Sequence, residues 1–237
     1  DGCISKSHSA PSVDFCLSAS KAFAEQILSM YEKLGYSPRL YCSKKKDNSP
    51  LYCVRLCGIT ALQILADLYS SKGLYLPRKY EKFLSFSRLT LDETMMETAY
   101  LFSLRSTCVR LKVGCVLTDE SKNNVISVGY NGGVSGLENH CESTFPGLCG
   151  CIHAEPGALI KGRGPILYCT HLPCTQCAKL IINAGIREVY YSEKYRNDYS
   201  LELFSRKGLR VRQLRRDKYA WKLNILAGMS RVAKEGK

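Results

Sequence analysis

The sequence predicts a layered α/β protein: a three-layer sheet with helices on both faces over residues 89–214, preceded by a small α+β unit over residues 1–86. Two observations lead there. After residue 88 the apolar pattern switches repeatedly between helical and strand spacing, as it does in a sheet sandwiched between helices. Before residue 88 it reads as a strand, a helix, a hairpin and a second helix. The 237 residues, 45% of them apolar, suffice for one large or two small domains with a real core.

In the first unit, "SASKAFAEQILSMYEKLG" predicts a helix with Phe23, Ile27, Tyr31 and Leu34 on its apolar side, closed by Gly35. "PRLYCS" and "LYCVRLC" predict two strands joined by the basic, turn-rich "KKKDNSP". "ITALQILADLYSSKG" predicts the next helix, followed by the basic "LPRKYEKF". In the second unit, Thr90 and Glu93 form a capping-box pair at the head of "LTLDETMMETAYLFSLRS". Strands "VGCVLTD" and "VISVGY" follow, with a polar turn between them. A Gly- and Cys-rich loop runs from Asn131 to Cys151. Then come a helix at His153, strand "ILYCT", a helix at Cys174, strand "EVYYS", a helix around Tyr199–Arg206 and strand "LRVRQL".

No run of 18 apolar residues is present, so no membrane-spanning helix is expected. There is no secretory signal pattern. The chain begins at Asp1 rather than Met, and an upstream piece is expected. Thirteen cysteines, an odd number at scattered spacing, point to a reducing, cytoplasmic setting with free or metal-bound thiols rather than a disulfide framework. The net charge of +13 is uneven: the middle is mildly acidic, while residues 1–90 and 205–237 are basic. Basic flanks suit a polyanion such as nucleic acid. Residues 215–237 read as a basic helix or tail, for which simple solubilisation is the competing account.

The chemistry concentrates in "CIHAEPGALIKG" and "LPCTQCAKLIINAGI". His153 and Glu155 followed by Pro173, Cys174 and Cys177 match the His-x-Glu, Pro-Cys-x-x-Cys signature of zinc nucleobase deaminases. Pro suits the first helical position, where its missing N–H has no partner. Cys174 and Cys177 are three apart and share a face of the first turn. A helix N-terminus favours thiolate over thiol. His153 supplies a nitrogen ligand, and three protein ligands leave a fourth tetrahedral position open, the catalytic arrangement for zinc. Glu155 stands beside that position without being needed as a ligand. The bland reading is a core histidine, a surface glutamate and two buried thiols; the order of the two motif halves weighs against it.

With these motifs in place, residues 89–214 resemble deoxycytidylate (dCMP) deaminases of the cytidine-deaminase-like superfamily. The resemblance rests on "RSTCVRLKVGCVL", "GYNGG", "HAE", "PCTQCAKLIINAGI" and "SEKYRND". It implies zinc held by His153, Cys174 and Cys177, Glu155 as catalytic proton shuttle, and substrate contacts at Asn131 and Tyr195. The implied reaction converts cytosine to uracil: zinc makes hydroxide available near neutral pH, Glu155 moves a proton to N3, and ammonia leaves from C4. Arg105, Arg110 and Lys112 are candidates for holding a substrate phosphate. Family members are commonly homo-oligomers and are often regulated by dCTP and dTTP. One departure stands out: Gly157 occupies the position where such enzymes usually carry Asn, which leaves the identity of the substrate open.

Cys108, His140, Cys141, Cys149 and Cys151 lie in or near the same loop. Some relatives carry a second, structural zinc built from similar positions, and three Cys plus one further Cys or His make a sound closed site. Free thiols are the alternative.

Residues 1–86 resemble something different, one repeat of a LAGLIDADG homing endonuclease. The carriers are "DGCIS", "FAEQILSMYEKLGYSPRLYC", "LYCVRLCGITALQILADLY" and "LPRKYEKF". The resemblance implies a divalent cation such as Mg²⁺ at Asp1 and hairpins lying along DNA. The helix that packs two such motifs together would precede Asp1, so this chain alone is a poor candidate for an active nuclease. An α+β domain that only assists oligomerisation is the plain alternative. Three functions follow from the sequence: deamination of free dCMP, deamination of a base within nucleic acid, and DNA binding or cleavage with a fused deaminase.

Overall fold

The computed structural model describes residues 2–7, 10–17, 20–44, 47–70, 76–138, 149–196, 198–220 and 222–223. The chain divides into two compact units, with the break between Arg88 and Leu89 and the second unit ending at Tyr219. Asp1, His140 and Cys141 lie outside the described residues.

The first unit opens with a hairpin of β1 (Gly2–Ser7) and β2 (Ala10–Leu17). It continues with α1 (Lys21–Lys33), β3 (Arg39–Lys44), β4 (Pro50–Cys57), α2 (Gly58–Ser70) and α3 (Pro77–Ser87). The strands form one antiparallel sheet in the order β1-β2-β4-β3. Sequence periodicity suggests a single strand where the hairpin stands. Ile4 and Val13 of its strands are buried in the core of the unit. The helix at "SASKAFAEQ" forms, with Ile27 and Tyr31 inward as expected but the buried face rotated toward Ala24 and Leu28. Ala24, Ile27, Leu28 and Tyr31 meet the sheet, while Phe23 and Leu34 are exposed. Ala24 has no side chain beyond Cβ, which lets the helix approach the strands closely. The basic "LPRKYEKF" forms α3, with Pro77 at its start and Phe83 buried.

The second unit contains α4 (Leu91–Ser103), β5 (Gly114–Thr118), β6 (Val125–Tyr130) and α5 (Ala154–Leu159). These are followed by β7 (Ile166–His171), α6 (Thr175–Asn183), β8 (Glu188–Glu193), α7 (Tyr199–Lys207) and β9 (Arg210–Gln213). The sheet order is β6-β5-β7-β8-β9; β5 pairs antiparallel with β6 and β7, and β7, β8 and β9 run parallel. This is the three-layer α/β arrangement expected from the sequence. On one face α5, α6 and α7 bury Ala154, Ala158, Ala178, Ile181 and Phe204 against Leu117, Leu167 and Val189. On the other, α4 buries Met95, Met96 and Ala99 against Val116, Tyr168 and Tyr190. Tyr219, from the segment read as a tail, joins that second core.

Two glycines set the close approach of helix to strand. A Cβ at Gly114 would lie 1.8 Å from the Ala99 carbonyl oxygen, and one at Gly129 would lie 2.0 Å from that of Ala154. Any larger residue would push α4 or α5 off the sheet. The capping box of α4 forms as expected: Thr90 Oγ1 accepts from Glu93 N at 3.2 Å, and Glu93 Oε2 accepts from Thr90 N at 2.7 Å.

Candidate metal centre and its cavity

The two halves of the motif meet because α5 and α6 begin at the same end of the sheet. His153 is the N-cap of α5 and Cys174 the N-cap of α6. Pro173 therefore precedes the cap rather than opening the helix. The extended backbone of Cys174 lets its thiol fold back over the first turn, beside Cys177. His153 Nδ1 lies 3.5 Å from Cys174 Sγ and 3.3 Å from Cys177 Sγ. All three ligand atoms lie within 4.8 Å of one another. With Zn–N and Zn–S bonds of usual length, a tetrahedral ion places N and S about 3.5 Å apart, so the donor set fits zinc.

The electrostatics agree. The Cys177 thiol, and after it His153, hydrogen-bond Cys174 and bring it down to about 3. Cys177 is pushed up by the neighbouring Cys174 and by burial. One thiol of the pair is thus poised as thiolate, the form a metal takes. Glu155, 4% exposed in the first turn of α5, has its carboxyl raised by burial. A raised carboxyl is suited to exchange protons near neutral pH.

Beside this group opens a cavity of about 310 Å³. Asn131, Glu155, His171, Tyr195, Arg110 and Arg196 are in its wall. The site residues expected from the sequence are thus gathered: His153, Glu155, Cys174, Asn131 and Tyr195 line one cavity, and Cys177 sits beneath it, 2% exposed. Cys108, Cys149 and Cys151 also lie on its wall, with their sulfurs within 4.8 Å of one another. At Cys108 burial is outweighed by N–H donors from Leu111 and Arg110, and its thiol is lowered; burial and the neighbouring thiols push Cys151 up to about 12.

Of the phosphate candidates, Arg110 lines the cavity. Arg105 instead lies over the Tyr130 ring, 5.6 Å from its centre, and Lys112 is not among the lining residues. Gly157 does not line the cavity either. A Cβ there would face Gly129 Cα and the Tyr130 carbonyl oxygen, each at 3.8 Å. The difference at this position falls in the packing of α5 on β6.

Two titratable lining residues escape sequence reasoning. His171 ends β7, with Nδ1 3.1 Å from Thr170 Oγ1, and burial lowers its pKa. Arg196 lies 5.0 Å from the centre of the Tyr195 ring. The available signal was position: ligands in open α/β sheets gather beyond the carboxyl ends of parallel strands, where β7 and β8 deliver these residues.

By fold and donor set, the second unit is a zinc-binding α/β domain. Residues 89–193 match the family model for the cytidine and deoxycytidylate deaminase zinc-binding region. ComE operon protein 2 of Bacillus subtilis (strain 168) is 35% identical over 167 residues, covering 60% of this chain and 84% of that protein. The deoxycytidylate deaminase of Saccharomyces cerevisiae is 30% identical over 206 residues, covering 80% of this chain and 65% of that one. A crystallised dCMP deaminase from cyanophage S-TIM5, in complex with dCMP and dUMP, is 33% identical, with 54% of this chain and 100% of that chain covered and a TM-score of 0.48. The chain belongs to the cytidine and deoxycytidylate deaminase family.

Proposed function

We propose that this chain hydrolytically deaminates a cytosine nucleotide, dCMP to dUMP, with release of ammonia. The observation that carries the reading is the His153, Cys174 and Cys177 donor set at the cavity whose wall also holds buried Glu155, in a chain of this family. His153, Cys174 and Cys177 would hold a zinc ion, which would supply a water activated at neutral pH. Glu155 would carry two protons in turn, the first from the attacking water to the pyrimidine N3 and the second from the same oxygen to the leaving amino group, which departs as ammonia. The apolar body of the cavity, including Leu111, Val113 and Leu172, limits bulk water around the reacting base. Arg110 and Arg196 are the cations placed to meet a nucleotide phosphate. A mononucleotide is favoured over a base within a strand by the similarity of this chain to deoxycytidylate deaminases. Turnover of dCMP without turnover of a cytosine-containing oligonucleotide supports this reading; the reverse overturns it.

Cys108, Cys149 and Cys151 are three donors of a second, structural zinc site, supported by their clustering. Two zinc ions per chain, one lost selectively in Cys149→Ser, is the expected stoichiometry.

A second reading concerns the first unit. Its helices cover one face of the sheet. Across the other, Arg39 and Arg55 are register partners, and the Arg55 guanidinium lies 5.2 Å from the Tyr41 ring centre. Arg55 is also paired with Asp14. This basic, aromatic face supports contact with DNA, as the resemblance to a homing-endonuclease repeat implies. Salt-sensitive binding to duplex DNA, weakened by Arg39→Ala, supports it; binding unaffected by salt or by that change counts against it.

A further inference from the structure

We propose that Ser106 is a positioning residue for the deaminase site, fixing the side-chain amide of Asn131 so that a single N–H remains to meet the substrate. This deepens the deaminase reading and rests on it.

Asn131 is 6% exposed and follows β6 directly, on the cavity wall. Its Oδ1 accepts from Val113 N at 2.7 Å and from Ser106 Oγ at 2.7 Å. Its Nδ2 donates to the Leu111 carbonyl oxygen at 2.7 Å. Val113 N–H can only donate and Leu111 C=O can only accept, so the backbone dictates which way the amide points. A side-chain amide has two acceptor and two donor positions. Three of the four are committed to the chain, and what remains is one Nδ2 proton. Asn131 can therefore act toward a ligand as a donor only.

Ser106 closes this arrangement. It is 7% exposed, so its hydroxyl is not interchangeable with water. The hydroxyl donates to Asn131 Oδ1 and accepts from the Cys108 backbone N–H at 3.2 Å. Neighbouring contacts hold the same two segments together. Asn131 N donates to the Val113 carbonyl oxygen at 3.2 Å, and Gly133 N to Thr107 Oγ1 at 3.3 Å. Without the Ser106 hydroxyl the Asn131 amide keeps Val113 and Leu111 but can rock about that pair, and its free proton loses a fixed direction.

The test is a kinetic cycle of Ser106→Ala, Asn131→Ala and the double variant with dCMP, beside Ser106→Thr, which keeps the hydroxyl. A donor contacting a non-reacting part of the substrate contributes equally to ground and transition states, so its loss raises KM and leaves kcat. Ser106→Ala is expected to raise KM about three- to tenfold, the usual scale for one hydrogen bond, with kcat within about twofold. In the Asn131→Ala background the same change is expected to add less than about twofold, because its partner is gone. Ser106→Thr is expected to restore the wild-type KM. An equal KM rise in both backgrounds, or a fall in kcat alone, overturns the proposal. The Asn131 side-chain amide in ¹⁵N-labelled, substrate-free protein gives a reading independent of turnover. One slowly exchanging Nδ2 proton in the wild type, held by the Leu111 carbonyl oxygen, that exchanges faster in Ser106→Ala supports positioning; identical exchange in both overturns it. A wild type that turns over no cytosine nucleotide removes the deaminase reading, while the amide exchange still decides whether Ser106 holds Asn131.

Discussion

His153 and Cys174 are structural equivalents: each is the N-cap of its helix, and their backbones adopt nearly the same conformation, φ −69°, ψ 160° and φ −68°, ψ 169°. Neither uses its side chain as a cap. In both helices the position that ordinarily caps the first-turn N–H donors carries a side chain that could bind a metal instead. With two helix starts converging on one point, a metal held there would tie α5 to α6. Removing metal with a chelator should lower the melting temperature, and added zinc should restore it. An unchanged melting curve after verified zinc loss would show that the tie contributes nothing to stability.

Gly157 tests whether the departure from the family pattern lies in the pocket or in the packing. A Cβ there meets its neighbours at ordinary contact distance, 3.8 Å. Gly157→Asn is therefore expected to change stability by no more than about 1 kcal/mol, the scale of surface-like substitutions and helix propensity. Its kcat/KM for dCMP should stay within about threefold, a fraction of one hydrogen bond. A changed preference among cytosine nucleotides would return this position to the substrate pocket.

Gly129 has no such latitude. The added methyl group of Gly129→Ala would overlap the backbone of Ala154, one residue from His153 and from Glu155. Backbone cannot rotate away as a side-chain end can, so a loss of about 3 kcal/mol or more is expected, the upper range for overpacking. Zinc affinity should fall with it, because α5 carries His153. Chemical denaturation and metal titration of the variant check both effects.

His171 gives a pH prediction with a defined sign. Burial lowers its pKa below 6.5, against the opposing pull of Glu193. The folded protein therefore binds the proton less readily than the unfolded chain. The stability due to neutral His171 is complete above about pH 6.5 and is lost as pH falls through the lower folded-state value. His171→Leu should flatten the decline of melting temperature on the acid side. Parallel curves for the two proteins would exclude His171 as a source of acid lability.

Each half of the candidate centre was legible because it is local: Cys174 and Cys177 are three apart at a helix start, and Glu155 follows His153 by two. That the halves belong together was legible only through the known motif, since they meet across more than twenty residues. The alternating elements of the second unit were legible because strands such as "ILYCT" are buried and continuous. What stayed hidden depended on register and crossing. His171 and Arg196 become cavity residues through the strand order β7-β8, which no local pattern encodes. The commitment of the Asn131 amide to Leu111 and Val113 arises from segments about twenty residues away folding back, beyond the reach of periodicity. In the first unit the β1–β2 hairpin was faint because the stretch from Ser7 to Ala10 carries none of the Gly, Asn or Asp residues that mark a tight turn.

Ammonia release from dCMP by wild type and Glu155→Gln, with zinc content measured on both, tests the central claim most directly. The account predicts wild-type turnover and a loss of at least about 10²-fold, up to 10⁴-fold, in the variant while zinc stays bound. Equal turnover by both proteins, or none by a zinc-loaded wild type, would contradict it.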